Sequence, residues 1–170
     1  MATENKNLSN YDKATIPNAK DFRFGIVVSE WNDTITEGLY DGAIEALKDC
    51  GALDKNITRW NVPGSFELVY GSKKMQGQNV DVVIAIGCVI QGETKHFDFV
   101  CEGVTQGIKD LNIQNETPVI FCVLTDNTMQ QSIDRSGGKH GNKGTEAAIA
   151  AIKMAELRKN SRGRGISIGY

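Results

Sequence analysis

Apolar positions along this chain gather into short unbroken runs, separated by longer stretches where they recur every three or four residues. Phe22 to Ser29 is the first run, rich in β-branched residues, and reads as a buried strand. Behind it Asn32 or Asp33 is placed to cap a helix that carries Ile35, Leu39, Ala43 and Leu47 on one face, and Gly51 closes it. Ile57 to Val62 is a second strand, stopped by Pro63 and Gly64. A helix from Phe66 to Met75 follows, with Leu68 and Val69 turned inward. Val80 to Ile86 is apolar almost throughout, as expected at the centre of a parallel sheet covered on both faces. Thr94 is a candidate cap for a helix carrying Phe97, Val100, Cys101, Val104, Ile108 and Leu111. Pro118 opens the strand Val119 to Leu124, a short helix runs from Met129 to Arg135, and a glycine-rich connection leads to the last helix, Thr145 to Leu157.

Strand and helix alternate four times, which predicts a doubly wound parallel α/β sandwich: a four-stranded parallel sheet with helices on both faces. At 170 residues the chain suits one domain that buries about two-thirds of its unfolded surface. Residues 21–159 form that domain. Residues 1–20, polar and without periodicity, read as a partly flexible N-terminal extension, and 160–170 as a flexible basic tail. With 19 basic against 21 acidic residues the net charge is -2, so no positive field is expected to hold nucleic acid. No apolar run is long enough for a bilayer, and the polar start lacks the apolar stretch of a secretory signal. Cys50, Cys88, Cys101 and Cys122 show no CxxC pairing, which favours buried free thiols in a reducing, cytoplasmic setting over disulfides or zinc. No metal or organic cofactor is expected.

In such a sheet, function gathers in the loops at the carboxyl ends of the strands. The first loop offers Trp31, either a structural plug or a flat surface for a planar heterocycle. In the second, Gly64 lets backbone approach a ligand; Glu67 either complements a helix dipole or accepts hydrogen bonds from a polyol. The third, Gly87 to His96, gathers Gly92, the N–H groups near Glu93 and Thr94, and the Thr94 hydroxyl at a helix start, a natural anion site. His96 sits there within reach of proton transfer, unless it is only a surface residue. The fourth carries Arg135 beside glycines, either favouring a helix end or gripping phosphate with paired hydrogen bonds.

At these loops the sequence resembles a known family. Val-Pro-Gly-Ser-Phe-Glu (62–67), Gly-Glu-Thr-Lys-His-Phe-Asp-Phe-Val (92–100), Pro-Val-Ile-Phe (118–121) and Arg-Ser-Gly-Gly-Lys-His-Gly-Asn-Lys-Gly (135–144) stand in the order and spacing of the lumazine synthase (6,7-dimethyl-8-ribityllumazine synthase) family. The resemblance spans roughly Phe22 to Leu157. It implies a flavodoxin-like fold and a transferase of riboflavin biosynthesis. The enzyme would condense 5-amino-6-(D-ribitylamino)uracil with 3,4-dihydroxy-2-butanone 4-phosphate, releasing phosphate and water without a cofactor. It further implies that Trp31 stacks on the pyrimidine, that Ser65, Phe66 and Glu67 hold the ribityl chain, and that Cys88, Val89 and Ile90 meet the uracil edge. Glu93 and Thr94 would bind the phosphate, and His96 would carry protons. Phe121, Arg135 and Lys143 would reach the site from a neighbouring subunit, Arg135 on the phosphate. The partners so implied are other copies of the chain, in a pentamer and a 60-subunit shell, and riboflavin synthase.

Three departures from the family pattern stand out. Gln91 replaces a frequent Arg, Glu93 adds a negative charge at the phosphate site, and the tail after Lys159 runs past the usual end. The competing readings are a flavodoxin-like module that binds a flavin or nucleotide, and a shell protein without chemistry. Formation of the lumazine separates them.

Overall fold

The computed structural model describes residues 7–162. Four strands, β1 (Phe24–Ser29), β2 (Ile57–Val62), β3 (Val82–Ile90) and β4 (Val119–Asp126), form one parallel sheet in the order β2-β1-β3-β4. This is the expected doubly wound architecture. The helices are α1 (Asp33–Asp49), α2 (Leu68–Gln76), α3 (His96–Gln114), α4 (Met129–Arg135) and α5 (Lys143–Arg162).

Strand alternation sorts the core into two layers. Phe24, Ile26 and Val28 of β1, Val82, Ile84 and Ile86 of β3, and Cys122 and Leu124 of β4 pack under α1 and α5. Val27, Val83, Ala85, Val119 and Val123 face the other way, against Leu68 and Met75 of α2 and Val104, Ile108 and Leu111 of α3. Each Val, Leu, Ile, Phe or Met among them, fully buried, contributes about 1.5–3 kcal/mol. β1 and β3 are covered on both faces and therefore lack polar alternation, whereas the edge strand β2 is only half-buried.

Several boundaries move from where the sequence puts them, each for a local reason. β3 does not stop at Ile86 but continues through Gly87 to Ile90, paired with β4 as far as Asp126. A side chain at Gly87 would collide with Leu68 and Ser65, so the glycine marks the close approach of the loop before α2 and does not end the strand. The glycine-rich connection holds a small antiparallel hairpin, β5 (Ser136–Gly138) and β6 (Gly141–Asn142). α5 starts at Lys143, ahead of Thr145, because Asn142 Oδ1 accepts the Gly144 N–H at 2.8 Å. It continues past Leu157, where the Arg158 guanidinium donates to the carbonyls of Val80 and Asp81 at 3.1 and 3.0 Å.

The described part of the N-terminal extension, residues 7–20, lies against the domain. The Leu8 N–H donates to the His140 carbonyl at 2.8 Å, and Ser9 Oγ accepts the Asn142 N–H at 2.9 Å. The Tyr11 hydroxyl and Lys13 Nζ both reach Asp49, at 2.8 and 2.7 Å. Burial, with the Asp49 contact second, pushes the Tyr11 hydroxyl up to about 12. Residues 1–6 and, of the C-terminal tail, residues 163–170 lie outside the described residues.

α1 and α5 meet through glycine. Asn142 Nδ2 donates to the Gly38 carbonyl at 2.8 Å and Thr145 Oγ1 to the Gly42 carbonyl at 3.2 Å. A methyl group at Gly144 would run into the Leu39 carbonyl, a backbone atom with little freedom to yield. Gly144→Ala should therefore destabilise the protein by about 3 kcal/mol, the upper end for an overpacked core site. Urea unfolding at fixed protein concentration measures this; an unchanged midpoint would show that the two helices separate without cost.

Candidate active site

Because the strands are parallel and in register, their carboxyl ends lie along one edge of the sheet. There the loops after β1 and β2, the end of β3 and the start of α3 enclose a cleft of about 760 Å³. Trp31, Asn32, Ser65, Phe66, Glu67, Cys88, Val89, Ile90, Thr94 and His96 line it. All but Asn32 are among the residues singled out from the sequence. Trp31 is 72% exposed, so its ring offers an open face and plugs nothing.

The cleft is held together by backbone contacts between loops. The Glu30 N–H donates to the Val62 carbonyl at 2.8 Å, and the Trp31 N–H to the Pro63 carbonyl at 3.1 Å. Asn32 Nδ2 donates to the Cys88 carbonyl at 3.0 Å, and Ser65 Oγ approaches that carbonyl at 3.4 Å. Asn32 is thus not the side-chain cap of α1 that the sequence suggests; its backbone is left-handed (φ 60°, ψ 47°) and its amide spans to β3. Ser65, Phe66 and Glu67 precede α2 as a turn, closed by the Leu68 N–H on the Ser65 carbonyl at 3.3 Å. Ser65 is buried, whereas Phe66 and Glu67 are exposed.

Thr94 caps α3 from one step further out than an ordinary cap: its Oγ1 accepts the His96 N–H at 3.3 Å. The hydroxyl proton remains free to point at an anion at the start of the helix, where the Asp98 and Phe99 N–H groups turn back onto the Lys95 carbonyl. His96 is exposed at the cleft, on the opening residue of α3. Phe97, Phe99 and Val100 form a further wall, with Phe99 68% exposed. The sequence presented Phe97 and Val100 as core spacing, and only the exposure of the first turn turns them toward the cleft.

Four of the sequence candidates do not line this cleft. Glu93, exposed, stands between the lining residues Gly92 and Thr94 but is not itself part of the lining. Phe121 is half-buried on β4, at the sheet's edge, against the layer under α2 and α3. Arg135 closes α4, its Nη1 donating to the Gln131 carbonyl at 3.0 Å. Lys143 opens α5 and pairs with Glu146 at 3.1 Å. The last three come from β4 and from the segments that follow it in the chain. Among the described residues no group of three or more His, Cys, Asp or Glu is arranged to hold a metal ion, and no helix is long and apolar enough to cross a membrane.

A family model described as 6,7-dimethyl-8-ribityllumazine synthase matches residues 21–159. The chain belongs to this family. Among curated members, the 6,7-dimethyl-8-ribityllumazine synthase of Flavobacterium johnsoniae is 82% identical over 162 residues, which is 95% of this chain and 85% of that protein. That of Christiangramia forsetii is 72% identical over 95% of this chain and 98% of its own length. The Porphyromonas gingivalis protein of the same name is 56% identical over 94% and 99%.

For this member of the family the cleft poses one chemical question, whether Cys88 is a nucleophile. Its thiol meets Ser132 Oγ at 3.4 Å, and Ser132 in turn donates to Asp126 Oδ2 at 2.8 Å. Burial, reinforced by the charge of Asp126 and partly offset by Ser132, pushes the thiol up to about 11. At pH 8 only about one Cys88 in a thousand is then a thiolate. Iodoacetamide at that pH should leave Cys88 unmodified in the folded protein, as read by peptide mass spectrometry; alkylation as fast as that of free cysteine would make it a reactive thiol.

Proposed function

We propose that this chain makes 6,7-dimethyl-8-ribityllumazine from 5-amino-6-(D-ribitylamino)uracil and 3,4-dihydroxy-2-butanone 4-phosphate, in the cytoplasm, as a step of riboflavin biosynthesis. The observation that carries the reading is the single cleft that brings an open indole, a polar turn, an anion-binding helix start and a histidine together. It lies in a chain whose family match covers the whole domain.

In this reading the Trp31 ring stacks on the pyrimidine, and the turn of Ser65, Phe66 and Glu67 holds the ribityl chain, with the Glu67 carboxylate accepting from its hydroxyls. Val89 and Ile90 meet the uracil edge. Cys88 serves beneath them, since Asn32 and Ser65 already engage its carbonyl. The α3 start binds the phosphate through main-chain N–H groups near Glu93 and through the Thr94 hydroxyl, which explains why an acidic side chain at Glu93 is tolerated. His96 moves protons during imine formation, phosphate elimination and ring closure. Most of the acceleration comes from holding two reactants together, with one base and one anion hole added.

Phe121, Arg135 and Lys143 serve the cleft of the next copy, Arg135 on the phosphate. Such head-to-tail contacts close naturally into a ring, here a pentamer. The connection between Arg135 and α5 is a tight hairpin without insertion, which favours twelve rings joined in a shell large enough to enclose riboflavin synthase.

Two measurements test this. Metal-free, flavin-free protein given both substrates should produce the absorbance and fluorescence of the lumazine well above the uncatalysed rate. His96→Ala should slow it by about one to two decades without abolishing it. A wild-type rate equal to the uncatalysed one would leave a binding module or an inert shell, and an unimpaired His96→Ala would remove that residue from the chemistry. Light scattering should give a mass of about 1.1 MDa for sixty chains against about 93 kDa for one ring, from 18.6 kDa per chain. The smaller mass would defeat the shell, and an active monomer would defeat the shared site.

A further inference from the structure

Asn32 is the only non-glycine residue with positive φ among those described, and it lies in the cleft beside Trp31. Two demands meet at this position. The chain leaving β1 must turn sharply into α1, and the left-handed conformation that does so is comfortable only for glycine and, less so, for Asn or Asp. At the same time the side chain must donate to a carbonyl, because Cys88 O lies 3.0 Å from its amide nitrogen. Glycine meets the first demand alone. Aspartate meets the first but sets a carboxylate against the carbonyl. Asn is the residue that satisfies both.

What the contact secures follows from its neighbours. Trp31 has few packing partners of its own at 72% exposure, so its orientation depends on the backbone that carries it. That backbone is fixed on one side by the Trp31 N–H on Pro63, and by the Ser29 hydroxyl on the Trp31 carbonyl at 3.4 Å. On the other side it is fixed by the Asn32 amide on β3. The same Cys88 carbonyl also receives Ser65, which begins the polar turn. One acceptor therefore sets the distance between the indole and that turn.

We propose that Asn32 is a positioning residue, a strut that holds the Trp31 ring at stacking distance over the end of β3 and so sets affinity for the aminouracil substrate. The inference rests on the reading of Trp31 as the stacking surface. Asn32 touches neither proton transfer nor phosphate, so its loss is expected in one substrate only.

The test uses the full chain with Trp60→Phe, which leaves Trp31 as the sole tryptophan. Asn32→Gly and Asn32→Asp both keep the backbone conformation and remove the donor. Each should lower the fluorescence anisotropy of Trp31 in ligand-free protein and raise KM for the ribitylaminouracil by about three- to tenfold. KM for the butanone phosphate and kcat should stay within about twofold. Unchanged anisotropy and an unchanged aminouracil KM in both variants would overturn the strut, as would equal losses for both substrates. Unfolding of both variants would assign Asn32 to stability and also end the proposal. Anisotropy is read without substrate, so an inactive parent protein with the anisotropy loss in its variants would refute the enzymatic reading and leave the strut standing.

Discussion

At the centre of the sheet β1 and β3 run side by side, Phe24 opposite Val82 and Val28 opposite Ile86, with both faces sealed by helices. A slip of one residue in this pairing would turn Phe24, Ile26 and Val28 out of one layer and into the other. The register is therefore held by the whole core, and the cleft inherits its geometry. β1 ends at Ser29 and β2 beside it at Val62, while β3 and β4 run on together to Ile90 and Asp126. The step where two strands stop and two continue is the floor of the cleft. Asn32 and Ser65 occupy the place along β3 that a longer β1 would have filled.

What could be read from the sequence was whatever depends on local pattern. The four strands, α1 with its closing Gly51 at φ +98°, and the gathering of Trp31, the turn at Ser65 and the start of α3 at one edge all follow from periodicity and from parallel topology. What could not be read depends on contacts between distant segments. Gly87 carries no local sign that it is a clearance for Leu68 and Ser65 and not a strand end. Asn32 reads as a cap because caps are the local use of Asn; its partner lies 56 residues away. The glycines before α5 read as loop, and the hairpin they form owes its shape to left-handed Gly137 and Gly141. The placement of Phe121 on an edge strand follows from strand order, which alternation alone does not specify.

The cleft and the segment that carries Arg135 and Lys143 have different physical origins. The cleft side, from Trp31 to His96, is built by loops that hydrogen-bond to one another within a single chain. The flank that carries Arg135 and Lys143 is fastened by the glycine contacts of α1 with α5 and by the capping box of α4, where Thr128 and Gln131 exchange hydrogen bonds. In both parts the hydrogen bonds that fix the backbone come from within the chain itself.

The clasp between the segment at Leu8 and Ser9 and the β5–β6 hairpin has a consequence in time. The Leu8 N–H and the Ser9 hydroxyl find their partners at His140 and Asn142, more than 130 positions later. These two contacts must therefore wait until the β5–β6 hairpin has been synthesised. The hairpin that follows Arg135 and precedes Lys143 is thus secured by a segment made long before it, and it takes its final set against a partner already waiting.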